Sequence, residues 1–166
     1  MTTINRRQLL YSTGAFAAIA LAGCPEEEPE PTPTPTPTPE PGTPEFRVDE
    51  FLIEHDANLY DGTIADLTGE EDVIIEVGAG PEGLAYDPAA ARIDVGVEVI
   101  WEWTGEGGAH NVVSEAADDS DYEYSSGDLV SEAGHTWEYT FEEDGVALYY
   151  CQAHRAVGHL GALIVE

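Results

Sequence analysis

The feature that most constrains this fold is a series of short apolar segments separated by glycine, aspartate and proline. The segments lie at 73–77, 97–103, 110–114, 136–141, 146–150 and 162–166. In the second segment, Val97, Val99, Trp101 and Trp103 alternate with other residues, so one face of that strand is apolar and bulky. Many short strands with turn signals between them predict an all-β sandwich or barrel.

The segment before these strands has a different pattern. Residues 46–68 mix apolar and acidic side chains, and Phe51, Leu52 and Ile53 follow a loose helical period. We therefore predict a short N-terminal helix that leads into the strands. Residues 46–166 comprise 121 positions, which is enough for one domain with one buried core.

A proline-rich segment precedes the predicted domain. Nine of the eleven prolines lie in residues 25–45, which include four Thr-Pro repeats. Proline fixes φ and cannot donate a backbone hydrogen bond, so such a segment favours an extended polyproline II conformation. We interpret it as a linker that holds the domain away from a membrane; simple disorder without a spacing role stays open as the alternative.

The first 24 residues have the pattern of an export signal. Arg6 and Arg7 precede an apolar stretch that ends in Leu21-Ala22-Gly23-Cys24. Paired arginines are typical of a twin-arginine signal, and the final four residues resemble a lipobox, in which Cys24 is lipidated. An uncleaved anchor helix is the alternative. Both interpretations place the domain at the extracytoplasmic face of the cell membrane.

Charge narrows the range of partners. The chain has 34 acidic and 5 basic residues. Removal of the predicted signal, which contains two of the arginines, would leave a formal net charge of 3 − 34 = −31. This surface repels phosphate backbones, so a nucleic-acid partner is excluded. Such strong self-repulsion is tolerable where salt screens charge, which indicates a high-salt environment. An ordinary acidic secreted protein is the alternative.

Cys151 would be the only free thiol after lipidation of Cys24, and it would lie in an oxidising compartment. Intermolecular pairing, nucleophilic catalysis, metal binding and plain burial could each explain such a thiol. His154 and His159 follow it within one loop, and His110 lies about 40 residues upstream, after a glycine-rich turn. A thiolate together with imidazoles suits copper or zinc.

Two motifs carry a family resemblance. The stretches GEGGAHNVV at 105–113 and CQAHRAVGHLGALIVE at 151–166 resemble the halocyanins, small blue copper proteins of the cupredoxin family from halophilic archaea. The resemblance implies a cupredoxin-like Greek-key β-sandwich in which His110, Cys151 and His154 bind copper. His159 stands where the family has a methionine as the axial ligand. Asn111 corresponds to a residue that joins the two metal-bearing loops by hydrogen bonds.

The same resemblance implies a one-electron carrier rather than an enzyme. One copper ion per chain would shuttle electrons between redox proteins of a membrane electron-transport chain, and the protein would be monomeric. We expect partners to dock on an apolar patch around His154, formed by Ala153, Ala156, Val157 and Leu160. A domain that binds zinc or copper without redox chemistry is the alternative, because a cysteine with three histidines also suits tetrahedral zinc.

Overall fold

A computed structural model describes residues 39–116 and 119–166. The predicted signal with Cys24, and most of the predicted linker at 25–45, lie outside these residues. In the described part, no helix is long and apolar enough to cross a bilayer. The elements are α1 (Pro44–Glu54), β1 (Ala65–Asp66), β2 (Asp72–Ala79), β3 (Ala85–Asp87), β4 (Ala90–Ile93), β5 (Glu98–Trp103), β6 (Val113–Ser114), β7 (Thr136–Thr140), β8 (Gly145–Tyr150), a 3₁₀ turn (Arg155–Val157) and β9 (Leu160–Val165).

The strands form two sheets, which confirms the predicted β-sandwich with a helical lead-in. One sheet has the order β1-β4-β9-β8-β6, and the other has the order β3-β2-β5-β7. The main core lies between them and contains the apolar faces of β2 and β5, including Val99, Trp101 and Trp103 as the alternation predicts. The sandwich therefore rests on the two predicted strands with the clearest apolar pattern.

Strand β9 is buried along its whole length because both of its faces are covered. It lies between β4 and β8. Leu163 and Val165 face the main core, whereas Leu160, Ala162 and Ile164 belong to a second apolar cluster. Side chains of a strand point alternately to its two faces, so a strand that is covered on both faces is apolar at every position.

Helix α1 supplies the other side of this second cluster. Its buried residues are Val48, Phe51 and Leu52, at the spacing of one helix face. Thr43 caps the N-terminus through a side-chain hydrogen bond from the Phe46 amide at 3.2 Å. Pro44 occupies the first turn, where its missing N–H costs nothing. Helix α1 therefore begins two residues before Phe46, within the segment predicted as the linker.

Three strands were not predicted, and one predicted strand is shorter. Strands β1, β3 and β4 have two, three and four residues, and they are rich in alanine, which is depleted in strands and gives no β signal. In the predicted strand at 110–114, only Val113–Ser114 forms a strand. His110 instead makes an isolated bridge to Val130.

Each of the three arginines in the described residues forms an ion pair. The pairs are Arg47–Asp121 at 2.6 Å, Arg92–Glu45 and Arg92–Glu166 at 2.5 Å, and Arg155–Glu115 at 2.7 Å. Two arginines thereby connect α1 to the sandwich. Solvent-exposed pairs contribute only about 0–1 kcal/mol each, so burial of the apolar helix face dominates the attachment of α1.

Candidate metal centre

The loop between β8 and β9, residues 151–159, carries three of the four predicted ligands. We call this segment the ligand loop. Cys151 directly follows β8, and His159 directly precedes β9. Because these strands are antiparallel neighbours, the loop closes on itself, and the Cys151 amide donates to the His159 carbonyl at 3.0 Å. The His154 amide donates to the Cys151 carbonyl at 3.1 Å, which turns His154 back toward the thiol.

His110 reaches the same place from the other part of the chain. Its backbone is held by two hydrogen bonds of 2.8 Å to Val130 and by the Trp103 indole, which donates to its carbonyl at 3.0 Å. The ring Nε2 lies 2.8 Å from the Glu106 carbonyl oxygen, an acceptor that requires Nε2 to carry the proton. The Nδ1 lone pair is therefore free and faces the ligand loop.

The donor atoms of the four predicted ligands converge. Cys151 Sγ lies 3.8 Å from His110 Nδ1 and 3.5 Å from His154 Nδ1. The two Nδ1 atoms are 3.1 Å apart. His159 joins this group, and all four donor atoms lie within 4.8 Å of one another. Metal bonds of about 2.0–2.3 Å to nitrogen and sulfur can bridge such separations, so these residues could hold one copper ion.

His159 provides the sharpest test of whether a metal fits. The residue is 0% exposed, and neither ring nitrogen has a hydrogen-bond partner among the described residues. Its ring packs against Tyr86 with a centroid distance of 4.3 Å and against His110 at 4.7 Å. Buried polar atoms almost always have partners, so a bare buried imidazole beside a thiol and two other imidazoles has the character of a metal ligand.

Burial also keeps the imidazoles in the form that binds metal. Burial, together with the nearby rings of His110 and His154, lowers the pKa of His159 to about 3. Burial likewise lowers the pKa of His110, and His154 adds to that effect. A neutral imidazole offers a lone pair, whereas an imidazolium does not. At neutral pH both rings are therefore ready to coordinate.

Asn111 connects His110 to the ligand loop. Its side-chain amide donates to the Gln152 side-chain oxygen at 2.8 Å and to the Gly127 carbonyl at 2.9 Å. Its side-chain oxygen accepts from the Gln152 amide at 3.0 Å. The Tyr86 hydroxyl donates to the Asn111 carbonyl at 2.7 Å. These bonds fix the distance between the two segments that carry the ligands.

The predicted docking patch is only partly at the surface. Ala153, Ala156 and Val157 are exposed, and His154 is partly buried. Leu160 is 0% exposed and packs in the cluster beneath α1, so its assignment to the patch was wrong. The reason is that Leu160 already belongs to β9, whose side chains are covered on both faces.

Several residues around the site were not predicted. Glu106 contributes only its carbonyl oxygen, which any residue could supply, so its identity gives no sequence signal. Tyr86 lies in β3, which was itself not predicted. The amide of Asn58 contacts the ligand loop from the lead-in, and no motif marks it. His55 and His135 do not belong to the described group of potential ligands.

Comparison with known proteins agrees with this geometry. Residues 73–166 match the model of copper-binding proteins of the plastocyanin/azurin family. The chain belongs to this family. Halocyanin from Natronomonas pharaonis is 58% identical over 100% of both chains. Plastocyanin from Scenedesmus fuscus is 27% identical over 57% of this chain and 100% of its own length. The solved structure of a mutant fern plastocyanin is 20% identical, with a TM-score of 0.47 over 57% of this chain and 100% of its own.

Membership of the plastocyanin/azurin family confirms the cupredoxin fold and the copper cofactor that the sequence predicts. It indicates a blue copper electron carrier with a histidine–cysteine–histidine site. The family match begins at residue 73, so α1 and the segment up to Asp72 lie before the matched part.

Proposed function

We propose that this protein carries single electrons between redox proteins of a membrane electron-transport chain, with copper bound by His110, Cys151, His154 and His159. The observation that carries the proposal is the convergence of these side chains, together with the lack of a hydrogen-bond partner for the His159 ring nitrogens in residues 39–116 and 119–166. When bound, copper would supply the one-electron chemistry by alternating between Cu(I) and Cu(II).

The protein's own contribution is to hold the donor atoms in place. Cys151 and His159 are fully buried between β8 and β9, and Asn111 fixes His110 relative to the ligand loop. A donor set that is held by packing and by the hydrogen bonds of its supporting segments resists rearrangement when its charge changes. Such resistance keeps the cost of reorganisation low, which fast electron transfer needs.

We further propose that partners dock over His154. Ala153, Ala156 and Val157 surround it on the ligand loop, and Val157 is 55% exposed. A separate cleft of about 420 Å³ is lined by Leu59, Pro81 and Asn58, and the Asn58 side chain donates to the Val157 carbonyl of this loop. An apolar area on a highly acidic protein lets a partner approach closely with little desolvation of charge. The occupant we favour is a redox protein with a matching apolar face.

The location of the protein completes the proposal. Lipidation at Cys24 after twin-arginine export would tether a monomeric domain to the extracytoplasmic face, and the proline-rich linker would give it reach toward partners. These elements rest on the sequence pattern of residues 1–45.

Spectroscopy of the full chain tests the metal and its chemistry together. Reconstitution with Cu(II) should give an intense visible thiolate-to-copper absorption and an EPR signal that disappears on reduction. Cys151→Ser should abolish the absorption, because the thiolate supplies the orbital for the transition. A colourless protein that binds Zn²⁺ more tightly than copper would instead favour the alternative, a non-redox site in which the four donors surround zinc.

Docking is tested separately with a charge at the patch. Val157→Asp should slow electron transfer with the physiological partner, while the copper spectrum stays the same. Val157→Thr has the same shape without the charge and is the control. Equal rates for Val157→Asp and the wild type would remove the patch from the proposal.

A further inference from the structure

The lead-in before the family-matched region passes directly beneath the ligand loop. Helix α1 ends with the Ala57 amide donating to the Leu52 carbonyl at 2.8 Å and the Asp56 amide donating to the Ile53 carbonyl at 3.2 Å. This pair of bonds is a Schellman motif, with Asp56 in the left-handed conformation at φ 50°. The motif reverses the chain, so that Asn58 points to the end of the sandwich where the metal ligands lie.

Asn58 then makes three hydrogen bonds across this contact. Its backbone amide donates to the Gly158 carbonyl at 2.8 Å. Its side-chain amide donates to the Val157 carbonyl and to the Leu84 carbonyl, each at 2.8 Å. Both N–H groups of the side chain are thus used, and each reaches a different segment of the family domain.

Residues 56–58 lie so close to the ligand loop that only glycine fits at position 158. A Cβ added to Gly158 would lie 2.3 Å from the Asp56 carbonyl oxygen and 3.2 Å from the Asn58 amide nitrogen. Gly158 also has φ 82°, a conformation that other residues rarely adopt. Residues 56–58 and the ligand loop are therefore in backbone contact, without an intervening side chain.

The two segments that Asn58 joins are those that enclose His159. Val157 and Gly158 immediately precede this histidine in the chain. Leu84 immediately precedes β3, whose Tyr86 packs on the His159 ring at a centroid distance of 4.3 Å. A shift of either segment would move the imidazole relative to Cys151. One side-chain amide thus sets the spacing between the backbone that carries the ring and the strand that supports it.

We infer that Asn58 is a positioning residue for the metal centre, which acts by holding His159 at a fixed distance from the other three donors. The inference rests on the proposed role of His159 as a ligand. On this inference, the lead-in before residue 73 does more than pack against the sandwich: it also influences how the site binds copper. Residues of this kind typically change metal affinity by about 10–100-fold when they are replaced.

The test compares two lead-in variants of the full chain. Asn58→Ala removes both side-chain bonds, one to the ligand loop at Val157 and one to Leu84. Tyr60→Phe is the matched control, because it removes a lead-in hydrogen bond to Asp49 that does not touch the ligand loop. We expect Asn58→Ala to lower Cu(II) affinity about ten-fold and to change the copper EPR spectrum, whereas Tyr60→Phe changes neither.

Hydrogen exchange of the metal-free protein supplies a readout that does not need copper. Amides of residues 157–159 should exchange faster in Asn58→Ala than in the wild type and in Tyr60→Phe. The inference would be overturned if Asn58→Ala had a lower unfolding temperature but kept the Cu(II) affinity, the EPR spectrum and the amide exchange rates of the wild type. If the wild type itself shows no thiolate-to-copper absorption, the proposed function fails; the exchange comparison then still decides whether Asn58 holds the loop.

Discussion

Replacing His159 by methionine should affect two measurable properties, the stability of the metal-free protein and the reduction potential of the copper-bound protein. In the metal-free protein, the buried ring leaves one N–H donor and one acceptor without partners among the described residues. A buried polar group without a partner costs about 1–3 kcal/mol. Methionine has neither group, so His159→Met should stabilise the metal-free protein by on the order of 2 kcal/mol, or roughly 5–10 °C in Tm for a domain of this size.

The copper-bound protein should respond differently. An imidazole favours Cu(II) more than a thioether does, so its removal should favour Cu(I) and raise the reduction potential. Each ten-fold change in relative affinity shifts a one-electron potential by about 59 mV. A ten- to hundred-fold loss of preference for Cu(II) therefore corresponds to a rise of about 60–120 mV. The absorption spectrum should move toward that of a blue site.

Thermal unfolding of the metal-free protein and voltammetry of the copper form measure the two effects. His135→Met is the control, because His135 packs on Trp103, with centroids 4.9 Å apart, and is not one of the four converging residues. An unchanged potential in His159→Met would mean that His159 does not ligate copper. A lower Tm in the metal-free variant would refute the assignment of unsatisfied nitrogens.

Three further variants test other parts of the molecule. Gly158→Ala should cost several kcal/mol more in chemical unfolding than Gly69→Ala, because both have positive φ but only Gly158 has backbone within 3 Å of the added Cβ; equal losses would refute the close contact. The Arg47 guanidinium lowers the pKa of Asp121 in the folded protein. The pair therefore stabilises the fold fully above the ordinary aspartate pKa of about 4, and this stabilisation is lost as the pH falls through the lowered pKa of the folded state. Asp121→Asn should flatten that acid limb of the stability curve, and an unchanged limb would assign it to other carboxylates. Cys24→Ser should abolish lipid labelling and release the domain; continued labelling would contradict the lipobox.

The sequence predicted those parts of the fold that have strong local signals. The alternation in 97–103 identified β5 and its buried tryptophans, because side-chain direction in a strand follows the sequence directly. Strands β3 and β4 carry little signal of their own, since residues 85–93 are rich in alanine and form strands only by pairing with β2 and β9. Pairing over such distances is a property of the tertiary structure.

The four converging side chains were predictable as a group, because metal binding restricts ligands to a few residue types at a characteristic spacing. Their supports were not, since a carbonyl such as that of Glu106 can be supplied by almost any residue. Leu160 shows the opposite error: it is next to the ligand loop in sequence, but β9 has already begun there, and its side chain faces inward. Adjacency in sequence identified the loop and could not identify which of its side chains are exposed.

The ion pairs of the three arginines affect how copies of this protein meet one another. Every arginine in the described part is already paired with a carboxylate, while the chain has a formal charge of −29. Two copies therefore repel each other, and the repulsion extends over about 10 Å at 0.1 M salt but only about 3 Å at 1 M. Electron self-exchange between copies should be slow at low ionic strength and rise steeply with added salt. An electron given to one copy would then stay there until a different protein arrives, unless the surrounding salt is concentrated enough to let neighbouring copies share it.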